Sequence, residues 1–484
     1  MLFNSLPFVV FFAAVLAVVH GLRAWGGPRA LRLRNGFLLL ASYAFYSFWD
    51  WRFLGLIMLS TVVDYRCGLA MEGTGDDARR KRLVQLSLAV NLGLLGVFKY
   101  AGFFVNSAVE ALTKLGLEAD VGTLKIVLPV GISFYTFQTL SYTIDVYRRR
   151  MPAEPSALRF ATYVAFFPQL VAGPIERARD LLPQFGRLHA VARQALYSGT
   201  WLMVWGLFKK VVIADNVGPV ADAAFALDHP DRVQVLVGAY AFAVQIYCDF
   251  SGYTDVARGA ARLLGFELSL NFNLPYVAQN PSDFWRRWHI SLSSWLRDYL
   301  YIPLGGNRGS PQRTYINLML TMLLGGLWHG AAWTFVAWGA FHGAILALYR
   351  LATPWWERTV RVPEGLAGSA VRLVNGVFFF QLVCISWVLF RAADFASVGR
   401  MFAGLGQAPA EGFLHSLGAL ADWSVVALVV APLVLMQAGQ HLTRDQLVVF
   451  RLPAPARAAL YALGFLMFLY LGDFGGEAFI YFQF

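Results

Sequence analysis

The stretch LFNSLPFVVFFAAVLAVV, residues Leu2–Val19, contains no charged side chain. It is long enough for a helix that crosses a hydrocarbon core of roughly 30 Å, which needs about 20 residues. Similar apolar runs recur along the 484-residue chain, in which 58% of the residues are apolar and only 14% are charged. A soluble domain has roughly 25% charged residues. The sequence therefore predicts an integral membrane protein whose first span is retained rather than cleaved as a signal peptide.

The apolar runs predict an all-α fold with about 11–13 transmembrane or re-entrant helices. One run, Phe160–Val171, is short and is closed by Pro168 and the pair Gly173-Pro174. We expect it to enter the membrane and return, which is tolerated where the backbone lies against protein or a wet cavity. No linker or repeat divides the chain, so we expect a single membrane domain over residues 1–484. The expected spans are Leu2–Val19, Gly36–Trp49, Phe53–Leu69, Leu83–Phe104, Leu124–Val146, Phe160–Val171, Tyr197–Ile213, Val233–Val256, Tyr315–Trp328, Ala331–Tyr349, Leu373–Phe390, Trp423–Met436 and Ala458–Leu471.

The net charge of +11 comes from basic residues that gather in the loops between apolar runs. The positive-inside rule places such loops in the cytoplasm, and it explains the charge without any nucleic-acid binding. The segment Asp215–Arg232 is acidic and is expected outside. With Phe160–Val171 re-entrant, this alternation places both chain termini outside. The basic clusters are Arg23, Arg29, Arg32 and Arg34; Arg79-Arg80-Lys81-Arg82; and Arg148-Arg149-Arg150.

Soluble-enzyme and metal signatures are missing from the sequence. Cys67, Cys248 and Cys384 are scattered in apolar runs without CxxC spacing, which indicates neither a disulfide framework nor a zinc site. There is no GxSxG, GxxxxGK[ST], HExxH or GxGxxG signature. His229 and His415 fall in expected outer loops and belong to no metal-ligand cluster. We expect no bound metal.

The segment PSDFWRRWHISLSSWLRDYLYIPLGGNR, residues Pro281–Arg308, has the period of an amphipathic helix. We expect that helix to end at Pro303 and to be followed by a tight turn at Gly305-Gly306. Periodicity alone leaves two interpretations open, a helix lying in the membrane interface or a helix that carries His289 into a functional site. Its apolar face holds Trp285, Trp288, His289, Leu292, Trp295, Leu296 and Tyr299, and the rest of its surface holds Arg286, Arg287, Ser291, Ser294, Arg297 and Asp298.

The segment LLGGLWHGAAWTFVAWGAFHG, residues Leu323–Gly343, places His329 between apolar runs. An imidazole there is expected to be uncharged, because burial disfavours the protonated form. A neutral imidazole can accept a proton as a general base, although a histidine satisfied by a neighbouring helix fits equally well. The nearby glycines allow a close helix approach or a break beside His329. His342, near the end of the run, is expected to be structural.

The segment QIYCDFSGYTDVARG, residues Gln245–Gly259, carries two carboxylates near the end of an expected span. An intramembrane carboxylate needs a partner, and Arg258 and Arg286 are the candidates for Asp249 and Asp255. An ion pair that joins helices is an alternative to a catalytic role.

These motifs together resemble the membrane-bound O-acyltransferase (MBOAT) family, and in particular its bacterial branch that serves alginate O-acetylation. The resemblance extends over essentially the whole chain and is most specific at about residues 125–350. The motifs are FFPQLVAGPIER (Phe166–Arg177), YCDFSGYTDVARGAARLLGF (Tyr247–Phe266), NFNLPY (Asn271–Tyr276), DFWRRWHISLSSWLRDYLYIPLGGNR (Asp283–Arg308), GGLWHG (Gly325–Gly330) and the ending FIYFQF (Phe479–Phe484).

The resemblance implies a ring of tilted helices around a central funnel, with His329 as the catalytic residue and His289 as the second member of the site. It implies no bound cofactor and an acyl donor, acetyl-CoA, whose phosphates would lie near Arg286 and Arg287. It further implies a bacterial inner-membrane location, a periplasmic SGNH-type esterase-like partner and a polysaccharide acceptor. The residues expected to bind substrate or shape the site are Asp249, Tyr253, Arg286, Arg287, Trp288, Asn307 and Trp328.

The expected reaction has His329 withdraw a proton from an acceptor hydroxyl as that oxygen attacks a thioester. His289 or nearby donors would orient the acceptor or stabilise the oxyanion. Acyl transfer to peptidoglycan, or D-alanyl transfer to teichoic acid, by the same fold are alternatives. A membrane transporter is a third, but it would be expected to show internal repeats or paired broken helices.

Overall fold

The computed structural model describes residues 1–117, 127–359, 365–475 and 479–480, and the regular secondary structure among them is helical, with no β-strand. The all-α prediction is therefore confirmed. The start of one expected span, Leu124–Val146, lies outside the described residues. The end of the FIYFQF motif also lies outside them. The helices from the N-terminus are α1 (Leu6–Trp25), α2 (Gly27–Asp50), α3 (Leu54–Glu72), α4 (Asp77–Leu95), α5 (Ala101–Lys114), α6 (Ile132–Tyr147), α7 (Ala157–Ala165), α8 (Phe167–Leu170), α9 (Ala178–Leu181) and α10 (Arg193–Phe208).

The remaining helices include those that carry the candidate site residues. They are α11 (Asp215–Ala226), α12 (Arg232–Leu263), α13 (Pro281–Trp285), α14 (Ile290–Leu296), α15 (Pro311–His329), α16 (Trp333–Thr359), α17 (Gly365–Arg391), α18 (Phe395–Gly404), α19 (Phe413–Gly418), α20 (Trp423–Thr443) and α21 (Ala454–Leu471). Two compact units form: Met1–Met203 with Thr254–Ser269, and Val204–Tyr253 with Leu270–Phe484. The single domain and the central funnel stay predictions.

Among the described residues, eight helical segments are long and apolar enough to cross a membrane. One of them, Gly27–Glu72, contains the expected spans Gly36–Trp49 and Phe53–Leu69 on separate helices, because Asp50 is extended and a 3₁₀ turn at Trp51–Phe53 divides α2 from α3. The prediction of a polytopic membrane protein is confirmed. The eight segments are Leu6–Trp25, Gly27–Glu72, Asp77–Lys114, Arg232–Leu263, Trp333–Thr359, Gly365–Arg391, Trp423–Thr443 and Ala454–Leu471.

The short run Phe160–Val171 forms no spanning helix. Helix α7 ends at Ala165, Phe166 breaks the helix, and α8 continues for four residues. Phe160, Phe166 and Phe167 are each 0% exposed, so this irregular backbone is packed within protein. That environment is the one in which a broken helix at membrane depth is tolerated.

In the second unit, helices α15 and α16 form a tight hairpin around the predicted break. Helix α15 ends at His329, and Gly330 is extended. A Cβ on Gly326 would collide with the carbonyl oxygen of Phe335 and would lie 3.1 Å from the Cα of Gly339. The glycines therefore let the two helices approach closely and hold His329 at the end of α15, as expected.

The prediction of a continuous amphipathic helix from Pro281 to Pro303 is wrong. Helix α13 stops at Trp285, and α14 starts after His289, whose φ of 42° is left-handed. At the break, two backbone hydrogen bonds join this segment to another part of the chain: Asn273 N–H donates to the carbonyl of Arg287, and Ile290 N–H donates to that of Asn271, both at 2.9 Å. This tertiary backbone pairing replaces helical hydrogen bonds.

The burial pattern expected for that segment is nevertheless mostly correct. Trp288, His289 and Leu292 are buried, and the turn at Gly305-Gly306 has the two positive φ angles that a tight turn requires. Ser291 is an exception. It was expected on the polar side of the helix, away from the apolar face, but it is only 6% exposed.

Candidate active site

His329 lies in an aromatic enclosure at the end of α15. It is 4% exposed. Its ring meets Trp338 at 5.0 Å between centroids and Phe390 at 5.3 Å, both in edge-on geometry. Helices α16 and α17 supply these two walls. The ring is thus held among apolar surfaces within the second unit, as the sequence predicts.

His289 lies next to His329. It is fully buried, and the two imidazole centroids are 6.2 Å apart. Trp328 lies beside both rings, with its own centroid 5.7 Å from His289 and 5.1 Å from His329. The structure therefore brings together two histidines that are distant in sequence, together with one of the expected site-shaping residues.

Asn271 holds the ring of His289 in a defined tautomer. One side-chain atom, Oδ1 of Asn271, contacts His289 Nδ1 at 3.2 Å and accepts from the backbone N–H and the hydroxyl of Ser291 at 3.2 and 2.9 Å. A backbone N–H can only donate, so this atom must be the oxygen of the amide, and His289 Nδ1 must donate to it. The lone pair of the neutral ring is then on Nε2.

The charge of His289 is set by its burial. His289 lies outside the eight candidate membrane-spanning helices, and burial lowers its pKa to about 3. The imidazole is therefore neutral at physiological pH. A neutral ring with its proton on Nδ1 presents Nε2 as a hydrogen-bond acceptor.

Trp288 forms part of the packing behind the two histidines. It is 1% exposed, and its ring lies 4.9 Å from Trp387 and 5.0 Å from Phe272. The ring of Trp288 is held in place, because large aromatic rings from α17 and from the Asn271–Asn273 region pack around it.

The cation that meets Asp249 is neither of the two candidate arginines. Its Oδ1 lies 3.1 Å from Nζ of Lys210, and its Oδ2 accepts the backbone N–H of Ile480 at 2.6 Å. Lys210 also binds Asp215 at 2.7 Å. Arg258 pairs with the other carboxylate of the segment, Asp255, at 3.3 Å, so that part of the prediction is confirmed.

These contacts make Asp249 a junction between α12, the π-helical turn Lys209–Ala214 and Ile480. They match the alternative to a catalytic role given above, in which this carboxylate forms an ion pair that joins helices. Tyr253 on the same helix packs at 4.7 Å from the ring of Phe479. Asp249 thus contacts Ile480 and Tyr253 contacts Phe479, the two described residues of the final motif.

The remaining predicted site residues are at the surface of the second unit. Arg286 is exposed, whereas Arg287 binds Asp283 at 2.9 Å. Asn307 is exposed and accepts from Arg350 at 2.9 Å and from the hydroxyl of Tyr301. These contacts do not join them to the two histidines.

No role was predicted for Asn271 from the sequence, although it stands first in the NFNLPY motif. The sequence does contain a feature that could have indicated such a role, because Asn271 is a polar amide beside apolar residues and lies shortly before the histidine segment. What could not be read from the sequence was that the amide would meet a residue 18 positions away.

His229 and His415, which the sequence separates, line the same cleft of about 700 Å³. Asp231 at this cleft accepts from the hydroxyl of Ser416, and His415 lies 2.8 Å from Glu411. In the described part of the chain, no group of three or more histidine, cysteine or acidic side chains is arranged to hold a metal ion.

The chain is similar to known membrane acyltransferases. The profile described as MBOAT, membrane-bound O-acyltransferase family, matches residues 43–389. The chain is 48% identical to the probable alginate O-acetylase AlgI of Azotobacter vinelandii, over 77% of this chain and 73% of that protein. It is 46% identical to the protein of the same name in Pseudomonas aeruginosa, over 84% and 75%. It is 37% identical to the peptidoglycan O-acetyltransferase of Helicobacter pylori, over 76% and 73%.

Proposed function

This chain belongs to the membrane-bound O-acyltransferase family, and from that membership we propose that it transfers acetyl groups from cytoplasmic acetyl-CoA for O-acetylation of an extracytoplasmic polysaccharide. It is a multi-pass membrane O-acyltransferase. The observation that supports the proposed chemistry is the pair of buried imidazoles, His289 and His329, 6.2 Å apart. Both lie within the residues that the family profile matches.

In the proposed reaction, His329 acts as general base. It takes the proton of an acceptor hydroxyl as the hydroxyl oxygen attacks the thioester carbonyl carbon. The new carbon–oxygen ester bond forms and the carbon–sulfur bond breaks, and the proton held by His329 passes to the departing thiolate. As a general base, His329 must be in its neutral form at the start of this cycle.

His289 orients the acceptor in this mechanism. Its Nε2 carries the lone pair because Nδ1 donates to Asn271, so Nε2 accepts from a hydroxyl and cannot donate to an oxyanion in this tautomer. Of the two roles expected from the sequence, orientation of the acceptor is therefore the one that we retain. The oxyanion would be stabilised by other donors.

Acetyl-CoA would approach from the cytoplasm and contact Arg286, which is exposed. Arg287 would contribute less, since Asp283 already neutralises it. The acyl group would pass outward to a periplasmic SGNH-type partner and from there to the polymer. The bacterial sources of the relatives support an inner-membrane location.

Peptidoglycan is the second candidate acceptor. It is favoured by the 37% identity to the peptidoglycan O-acetyltransferase of Helicobacter pylori. The higher identity to proteins named for alginate acetylation supports an exopolysaccharide as the first candidate.

The test of the proposed function is isotope transfer. Membranes that contain this chain, with and without its partner, are supplied with acetyl-CoA labelled in the acetyl group, and label is measured on exopolysaccharide and on peptidoglycan. We expect alkali-labile label on exopolysaccharide that depends on the chain. Label on peptidoglycan alone would assign the second candidate, and transfer from a D-alanyl carrier-protein thioester instead of acetyl-CoA would overturn the proposed donor.

Asn271 is expected to act as a positioning residue for His289. Asn271→Leu should lower turnover by about 10²-fold, because the misplacement of a reacting group can cost that much. Asn271→Asp keeps an acceptor oxygen for His289 and Ser291, so it should retain more activity and shift the pH profile towards higher pH, since a carboxylate favours the imidazolium. The measurement is the turnover per molecule of folded protein against pH.

The control is the same leucine substitution at Asn317, a fully buried amide of the same unit that donates to the carbonyl of Gly306. It should lower abundance without lowering turnover per molecule. If Asn271→Leu and Asn271→Asp behave as Asn317→Leu does, Asn271 is structural only.

A further inference from the structure

Three side chains form a polar aromatic cluster one ring away from His329. They are Trp285 at the end of α13 and Trp338 and His342 on α16. The ring of His342 lies 5.0 Å from that of Trp285 and 4.7 Å from that of Trp338, and the two indoles are 5.7 Å apart. Each ring meets the others edge-on, so the three form one contiguous patch. We call it the His342 cluster.

The cluster concentrates buried nitrogen atoms that no described residue of the chain satisfies. These atoms are both ring nitrogens of His342 and the indole nitrogens of Trp285 and Trp338. His342 is 0% exposed and Trp338 is 1% exposed. Most buried polar groups have a hydrogen-bond partner, and leaving one without a partner destabilises the folded state. Four such atoms on three touching side chains are therefore a strong departure from ordinary packing.

Packing alone does not account for a histidine at this position. The imidazole is stacked on Phe284, with a centroid distance of 6.1 Å and an interplanar angle of 7°. A phenylalanine would fill the same aromatic layer without burying two polar nitrogens. The sequence prediction of a structural His342 therefore leaves its nitrogens unexplained.

The chemistry of the cluster defines what it would bind. Two indole N–H groups can only donate, and a neutral imidazole offers one donor and one acceptor. The cluster contains no arginine, lysine or carboxylate, and the nearby Arg287 is paired with Asp283. An uncharged oxygen, as in an amide carbonyl or a sugar hydroxyl, suits such donors, whereas a phosphate would lack a countercharge.

The cluster is continuous with the candidate active site through one side chain. Trp338 touches His342 on one side and His329 on the other, at 4.7 and 5.0 Å between centroids. We propose that the His342 cluster is a substrate subsite that binds an uncharged oxygen of a molecule reacting at His329. This inference rests on the proposed function, and the oxygen belongs either to the amide-bearing arm of the acetyl-CoA thioester or to a hydroxyl of the acceptor.

The test is His342→Phe, which fills the aromatic layer but removes both nitrogens. Without substrate, the purified protein should keep or raise its thermal midpoint, because replacing an unsatisfied buried polar group by an apolar ring of similar shape is neutral or stabilising. In the labelled acetyl-CoA assay, kcat/KM should fall by about tenfold or more, the effect of losing a hydrogen bond to substrate. His342→Gln, which retains a donor and an acceptor, should recover part of the loss.

Two substrate titrations identify the source of the oxygen. A raised KM for acetyl-CoA assigns it to the donor, and a raised KM for the acceptor assigns it to the acceptor. The control is His20→Phe, because Nε2 of His20 lies 3.0 Å from the carbonyl oxygen of Leu263. Removing that satisfied hydrogen bond should lower the thermal midpoint and leave both KM values unchanged.

The results that would overturn the subsite differ from those that would count against the proposed function. Unchanged kcat/KM in His342→Phe, or a fall in activity that only follows a lower thermal midpoint, would overturn the subsite while the acyltransferase function stands. Absence of transfer by the unsubstituted protein with its partner would instead count against the proposed function.

Discussion

Replacing His329 by alanine is expected to abolish acetyl transfer while the protein still inserts and folds. A general base contributes about 10²–10⁴-fold to the rate, so turnover should fall by at least about 10²-fold. His329 ends α15, and its ring contacts Trp338 and Phe390 at 5.0 and 5.3 Å. Truncation to alanine leaves these walls and the α15–α16 glycine contacts in place. The measurement is label transferred from acetyl-CoA per molecule of protein in the membrane.

The matched control is His415→Ala. His415 lies in the cleft that also includes His229, and its side chain is 62% exposed, so removing its imidazole should leave turnover unchanged. Transfer by His329→Ala at the rate of this control would remove His329 from the mechanism.

Replacing His289 is expected to produce the second large loss, by about 10²-fold in turnover, because the acceptor hydroxyl loses the group that orients it. The choice of substitution matters, since His289 has a φ of 42°. Alanine is strained in this left-handed region, whereas asparagine tolerates it better than most residues. His289→Asn should therefore be the more stable variant, and His289→Ala should lose both abundance and turnover.

Comparison of the two variants separates chemistry from folding. Low turnover per molecule in His289→Asn, at near-normal abundance, is the expected outcome. If the loss in both variants is fully accounted for by lower abundance, His289 is structural. In a double variant with His329→Ala, the effects should be less than additive, because residues that act on one hydroxyl are energetically coupled.

Patterns that depend on burial were predictable from the sequence. A charge-free run such as Leu2–Val19 can only be a membrane span or a buried helix, and the recurrence of such runs decides for the membrane. Glycines beside His329 allowed a close helix approach or a break, and the structure has the first at Gly326 and the second at Gly330. The buried side of Pro281–Arg308 was also recognised, because apolar periodicity reports which side chains avoid water.

Choices between hydrogen-bond partners were not predictable in this way. Periodicity predicted a continuous helix from Pro281 to Pro303, whereas the chain breaks at His289, where two backbone hydrogen bonds join the segment to Asn271 and Asn273. Both carboxylates of Gln245–Gly259 were expected to meet an arginine; Asp255 meets Arg258, but Asp249 meets Lys210. Several partners satisfy the same local requirement, and only the packing of distant segments selects one.

The sequence by itself therefore determined that this chain is an all-α membrane protein of the O-acyltransferase family with a buried imidazole at His329. The tertiary structure alone decided that His289 lies 6.2 Å from it, with Asn271 holding its Nδ1 proton. The physical reason is range: hydrophobicity and helical period act within a segment, whereas a hydrogen bond between residues far apart in sequence exists only after the chain has folded.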